Sequence, residues 1–173
     1  MLIEKPLVAS KITIRDYSKT DLPFITAMWF DEENGKYMID PTEAYVNEEY
    51  RQALNELEDN PEGYYLTVVQ TGSDNVIGSC CIFPNKNKDS YDIGYCINKK
   101  YWRQGYGTEL IQLVIDWVRD RGGVEITAEV AKDNAGSNAL LRKFGFEVIR
   151  ETNFKKYNMD VTFDSYIYRL NLK

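Results

Sequence analysis

The chain has 173 residues and a formal net charge of −6 at pH 7. Hydrophobic residues make up 43% and charged residues 28%, which fits a single globular α/β (α+β) domain spanning residues 1–173, long enough for a substantial core. An acidic chain without histidine, and without an apolar run near the ~20 residues of a membrane span, argues against nucleic-acid binding, a histidine metal site and a spanning helix.

Ile12-Thr13-Ile14-Arg15 alternates apolar and polar residues and predicts a first strand. Asp21-Leu22-Pro23 predicts a helix start: Asp21 can cap, and proline is tolerated in a first turn. Phe24, Ile25, Met28 and Trp29 give that helix an apolar stripe. Pro41-Thr42 precedes a further helical segment running to Glu58, and Asn60-Pro61-Glu62-Gly63 is a turn. Tyr64–Gln70 and Val76–Phe83, on either side of Thr71-Gly72-Ser73-Asp74-Asn75, predict a β-hairpin. The loop Pro84–Ser90 leads into a strand over Tyr91–Ile97.

Glu109–Asp120 is the clearest helix. Glu109, Gln112, Asp116 and Arg119 form its polar line, and Leu110, Leu113, Val114, Trp117 and Val118 its buried side. Arg121-Gly122-Gly123 ends it. Glu125–Val130 alternates as a strand with one wet face, and Ala135–Phe144 reads as a short helix capped by Asn134 or Asp133. Phe146–Ile149 and Asp164–Leu170 complete a mixed, mostly antiparallel sheet of about six or seven strands with helices on both faces.

Cys80, Cys81 and Cys96 are odd in number and lie in apolar strand-like runs, so they read as reduced, buried thiols of a cytoplasmic protein. The first residues, Met-Leu-Ile-Glu-Lys-Pro, have no signal-peptide core. With no histidine and no Cys-x-x-Cys, no metal is expected.

The most informative stretch is Tyr101-Trp102-Arg103-Gln104-Gly105-Tyr106-Gly107-Thr108, between a strand and an amphipathic helix. A glycine loop at a helix start presents unpaired N–H groups at the positive end of the helix dipole, which favours a phosphate. Leu110 stands where a dinucleotide fingerprint has its third glycine, and Gly107-Thr108 lacks the lysine of a nucleoside triphosphate loop. About thirty residues later comes Asn134-Ala-Gly-Ser137-Asn138-Ala-Leu-Leu141-Arg-Lys143-Phe-Gly145-Phe146.

In these two motifs, correctly ordered and spaced over Tyr91–Phe146, the chain resembles the GNAT superfamily of N-acetyltransferases. Tyr-Trp-x-x-Gly-Tyr-Gly-Thr-Glu is similar to the branch that acetylates amino termini of ribosomal proteins and related small amines, although Trp102 replaces the family's first Gln/Arg. The resemblance implies acetyl-CoA as co-substrate, with its pyrophosphate on the backbone of Arg103, Gln104, Gly105, Tyr106, Gly107 and Thr108. Arg103 adds a charge-assisted contact. It implies that the strand before the loop splays from the next strand, so that the pantetheine arm meets backbone near Tyr95, Cys96 and Ile97; Gly94 is compatible with a bulge there. Asn134 then contacts that arm, Ser137 and Asn138 lie one turn further, and Lys143 lies near the coenzyme's outer end.

Leu141 stands where many family members carry an acidic tyrosine, so the resemblance nominates Ser137 to protonate the leaving thiolate. Asp92 lies at or near the family's glutamate base, with Glu32 and Glu33 as alternatives. Cys96 reads as a core thiol rather than a nucleophile, because no activating base accompanies it. A non-catalytic acyl-CoA binding domain is the competing reading.

Charge placement bears on the acceptor. Residues 31–62 hold eleven acids and two bases, a net −9 against +3 for the rest. In the resembling family this region forms the acceptor side of the cleft. This acidic segment therefore predicts a cationic amine acceptor, such as a polyamine, basic peptide or aminoglycoside, with Glu32, Glu33 and Asp40 as the positions whose neutralisation should weaken its attraction. A homodimer is compatible with this reading.

Overall fold

Ile12 and Ile14, the apolar positions of the first alternating run, are fully buried in the computed structural model, which describes residues 1–173. That run is β2 (Ile12–Asp16). The two-residue β1 (Leu7–Val8) pairs with it and is too short to carry a periodic signal. The chain continues through α1 (Leu22–Trp29), α2 (Glu48–Asn55), β3 (Tyr64–Gln70), β4 (Val76–Pro84), β5 (Ser90–Ile97), α3 (Tyr106–Asp120), β6 (Glu125–Ala131), α4 (Ala135–Lys143), β7 (Glu147–Lys155) and β8 (Thr162–Asn171). The eight strands form one mixed sheet in the order β1-β2-β3-β4-β5-β6-β8-β7. Only the β5–β6 pair is parallel.

One face of the sheet packs on α3 and α4. Ile12, Ile14, Leu66, Val68, Ile93 and Ile126 join Leu110, Ile111, Val114 and Leu141 in one core. The other face carries α1, whose Trp29 indole donates to Ser79 Oγ at 2.9 Å. Alternation along β5 therefore turns Tyr91, Ile93, Tyr95 and Ile97 toward α3 and α4, and Asp92, Gly94 and Cys96 toward the α1 side.

Four local expectations change. Asp21 stands at the N-cap of α1, but its side chain makes no cap bond. Its carboxylate accepts from Arg15 (2.8 Å, twice), Thr67 Oγ1 (2.8 Å) and Ser18 N–H (3.1 Å), because Thr67 on β3 brings a second donor that no local pattern reveals. The helix expected over 41–58 is broken: a 3-10 turn at Glu43–Tyr45 stops, and α2 restarts where Asn47 Oδ1 accepts from Tyr50 N–H at 2.9 Å. The helix after the glycine loop begins at Tyr106, not Glu109, since its first turn rests on the loop itself. β7 is longer than Phe146–Ile149, and its largely exposed residues hid it from a burial-based pattern.

Candidate active site

The glycine loop is built to leave donors free. Arg103 (φ +58°) and Gly105 (φ +86°, at the N-cap of α3) both take left-handed backbone angles. No backbone N–H from Arg103 to Thr108 donates to a protein acceptor, and Glu109 N–H is the first to be satisfied, by Gly105 O at 3.2 Å. Six consecutive donors at the start of a fifteen-residue helix form a strong anion cradle. The side chain of Glu109 is not free to oppose an anion. It accepts from the Ser10 hydroxyl, Lys11 N–H (2.8 Å) and Ile12 N–H (3.3 Å), tying α3 to the start of β2.

Lys11 is a cation that motif reasoning missed, because it lies more than ninety residues away in sequence. Its Nζ donates to Gln104 O at 2.8 Å and sits 3.1 Å from where a Cβ on Gly105 would stand. Gly107 has a second reason to be small: a Cβ there would meet Leu140 Cδ2 of α4 at 3.1 Å, so it also lets α3 and α4 approach.

β5 and β6 part beside the loop. Their register runs Ser90↔Glu125, Tyr91↔Ile126, Asp92↔Thr127 and ends there, while β6 stays paired with β8 through Ala131 and β5 with β4 through Ile97. The splay needs no bulge. The β4–β5 register is unbroken, and Gly94 is small because a Cβ would meet Cys81 Sγ at 2.8 Å. Asp89 O accepts from Val124 N–H on the β6 side, and Asn98 N–H donates to Ile77 O on the β4 side. By alternation, the N–H groups of Tyr95 and Ile97 face the splay. Cys96 backbone turns to Ser79 of β4, which corrects its expected place as a backbone contact. Its thiol is buried, accepts from Asn34 Nδ2 (3.1 Å), and is pushed up to about 12 by burial, consistent with an inert neutral thiol. Ile97 O is occupied by Trp102 Nε1 (2.7 Å) and Asn34 Nδ2 (3.3 Å).

α4 starts on the far side of the splay. Asn134 Oδ1 accepts from Ser137 N–H at 3.2 Å, leaving the Asn134 amide NH₂ without a protein partner. Ser137 is half-buried in the first turn. Asn138 is a correction. It is 4% exposed, Nδ2 donates to Ala131 O, Lys132 O and Asn134 O, and Oδ1 accepts from Tyr168 Oη at 2.7 Å, so nothing remains for a cofactor. Leu141 is fully buried, and Lys143 is exposed in the last turn.

The opposite face is polar. Asp92 Oδ1 accepts from Thr127 Oγ1 at 2.7 Å. Although Asp92 is exposed on the sheet face, partial desolvation of its carboxyl raises its pKa, the Thr127 hydrogen bond opposes this, and the Glu129 charge adds to it. Glu129 is itself bonded to Ser165 Oγ at 2.5 Å.

The acids of the loop after α1 are mostly spoken for. Asp31 and Glu33 pair with Lys99 (3.1 and 2.8 Å) and Glu43 with Arg51 (2.5 Å). Asp40, expected as a free steering charge, is buried and accepts from the Tyr50 hydroxyl, and burial raises its pKa. Lys156, from the β7–β8 turn, is 4% exposed and donates to Gly35 O (2.9 Å) and Met38 O (2.8 Å), tying this loop to that turn. Sequence periodicity gave no sign of that lysine.

The model of the acetyltransferase (GNAT) domain matches residues 11–147. The "uncharacterized N-acetyltransferase p20" of Bacillus licheniformis is 26% identical over 145 residues, 82% of each chain. A Salmonella typhimurium acetyltransferase that modifies the N-terminal serine of a 50S ribosomal subunit protein shares the fold, with a TM-score of 0.79, 15% identity, and coverage of 98% of this chain and 100% of that one. Spermidine N-acetyltransferase from Vibrio cholerae, solved with CoA and spermine, shares it with a TM-score of 0.77, 19% identity, and coverage of 94% and 96%. No helix is long and apolar enough to cross a membrane.

Proposed function

From the premise that this chain belongs to the GNAT acetyltransferase family, we propose that it moves an acetyl group from acetyl-CoA to a primary amine by direct attack, both substrates being bound at once. On this reading residues 1–173 act as one cytoplasmic catalytic domain. The observation that carries it is the β5–β6 splay, with six free loop N–H groups at its mouth, Ser137 on one face and Asp92 on the other.

Acetyl-CoA supplies the activated acetyl thioester. The N–H groups of Arg103, Gln104, Gly105, Tyr106, Gly107 and Thr108 hold the pyrophosphate, with Arg103 and Lys11 adding charge. The freed amide of Asn134 holds the pantetheine arm, and Lys143 meets the outer end of the coenzyme. Ile97 N–H, directed into the splay, polarises the thioester carbonyl. Ser137 protonates the departing sulfur. A primary amine has a pKa near ~10 and must lose a proton, which Asp92 accepts; a carboxyl whose pKa is raised is the stronger base.

The acceptor is read as a cationic amine. Spermine and a protein N-terminal serine, bound or modified by the two fold neighbours, are both amines, and Asp92 and Glu129 put negative charge on the acceptor face. The test is purified protein with acetyl-CoA and a panel of polyamines, basic peptides and aminoglycosides. Thiol release should be matched by a product heavier by one acetyl group. Coenzyme binding with no thiol release for any amine would favour the non-catalytic acyl-CoA binding reading instead.

A further inference from the structure

Tyr95 points its side chain from β5 toward α4, on the face opposite Asp92, and packs against the main core. Its hydroxyl is buried, and no protein atom meets hydrogen-bond geometry with it. Buried phenols usually find a partner, so the position calls for a reason. The Ser137 hydroxyl is close enough to influence it without meeting hydrogen-bond geometry. Burial pushes the Tyr95 phenol up to about 12, and the main influence in the opposite direction is that serine. Tyr95 N–H also lines the splay, so the same residue meets the site through both backbone and side chain.

A serine hydroxyl is a weaker acid than a phenol. A serine that surrendered its proton unaided would be left as an alkoxide, a higher-energy anion than a phenolate in the same surroundings. Leu140 and Leu141, the apolar α4 side chains at this core, have no proton to give, and the Asn138 amide is engaged by Tyr168 and backbone carbonyls.

We propose that Tyr95 is a positioning residue for departure of the leaving group: once the coenzyme is bound, rotation of the two hydroxyl side chains lets its phenol donate to Ser137 Oγ, turn the serine proton toward the coenzyme sulfur, and replace that proton once it is given up. This rests on the acetyl-transfer reading above. As the C–S bond breaks, its electron pair goes to sulfur, which takes the Ser137 proton. Ser137 Oγ takes the Tyr95 proton, and the phenolate recovers a proton from water after the thiol leaves. The proton lost by the amine leaves through Asp92, so the sum is amine plus thioester giving amide plus thiol.

The test is a double-mutant cycle of Tyr95→Phe and Ser137→Ala, read in kcat, in coenzyme KM and in thermal stability. Tyr95→Phe should lower kcat by about tenfold or more, leave coenzyme KM within about twofold, and have no further effect once Ser137 is alanine. The two stability changes should be less than additive. Four results discriminate. A wild-type chain with no acetyl transfer to any amine overturns the acetyl-transfer reading and this inference together. A Ser137→Ala enzyme at full kcat removes the serine acid and with it the role of Tyr95. An enzyme that depends on Ser137 but turns over normally as Tyr95→Phe overturns this inference alone. So does a Tyr95→Phe loss of the same size in both backgrounds, which would mark a packing effect.

Discussion

Asp92 and Thr127 are the last residues that β5 and β6 hold in register, and across that final rung Thr127 Oγ1 donates to Asp92 Oδ1 at 2.7 Å. The proposed base therefore sits at the vertex of the splay, oriented by a neighbour on the strand that diverges from its own. The acid limb of kcat/KM should report Asp92. Its pKa is raised by partial desolvation and by Glu129, so the rate should fall as pH drops through a value above that of a free aspartate. Thr127→Val removes the interaction that lowers the pKa and should move the limb to higher pH. Glu129→Gln removes repulsion and should move it lower. Asp92→Asn should cost most near neutral pH and least at high pH, where the amine is already neutral. An acid limb that ignores all three substitutions would dismiss Asp92 as the base.

The coenzyme loop should be more sensitive at Gly105 than at Gly107. Gly105 has φ +86°, where an added Cβ is strained by about 1–2 kcal/mol, and that Cβ would also press on Lys11 Nζ. Gly105→Ala should weaken CoA binding several-fold by calorimetry. Gly107→Ala meets only the movable end of Leu140 and should bind CoA within about twofold of wild type. The reverse order would place the phosphate contacts elsewhere.

The Arg15–Asp21 pair should govern acid stability. Burial alone would raise the Asp21 pKa, but hydrogen bonds from Arg15, Thr67 and Ser18 outweigh it and hold the carboxyl below its usual range. The charged form is thus stabilised by folding. Its contribution is complete above the unfolded value near ~3.9 and is lost as pH falls through the lower folded value. Asp21→Asn should cost about 3 kcal/mol in urea at pH 7, with the difference from wild type shrinking below about pH 4. A difference that persists unchanged into acid would show that shape, not charge, holds α1 to β3.

What the sequence made legible follows from range. The α3 stripe, the β3–β4 hairpin and the 101–108 loop are written in neighbouring residues, and the structure keeps them. Gly105 and Asn134 announce a loop and a cap because their chemistry is local. Asn138 misled because its amide is consumed by Ala131, Lys132, Asn134 and Tyr168, the last from a strand thirty residues away. Cys96 misled because which backbone groups face the splay depends on strand phase, which pairing alone fixes. Lys11, Lys156 and Thr67 act on segments far from them in sequence, and no periodicity carries that information.

The acceptor prediction changes for the same reason. A net charge of −9 over residues 31–62 counts acids that Lys99, Arg51 and Tyr50 already engage. Steering should therefore fall to the acids left facing the cleft, above all Asp92 and Glu129. For a cationic acceptor, kcat/KM should drop several-fold between roughly 20 and 300 mM salt, as the Debye length shrinks from about 20 to about 6 Å. Glu129→Gln should remove a larger share of that salt response than Asp40→Asn, whose charge is buried against Tyr50. Lys99→Met releases Asp31 and Glu33 and should steepen the response, raising kcat/KM at low salt only. Stopped-time assays across this salt range, with one cationic and one neutral amine, separate the outcomes. A neutral amine with the same salt slope, or a Lys99→Met enzyme with an unchanged one, would mean that the acidic face has no part in choosing the acceptor.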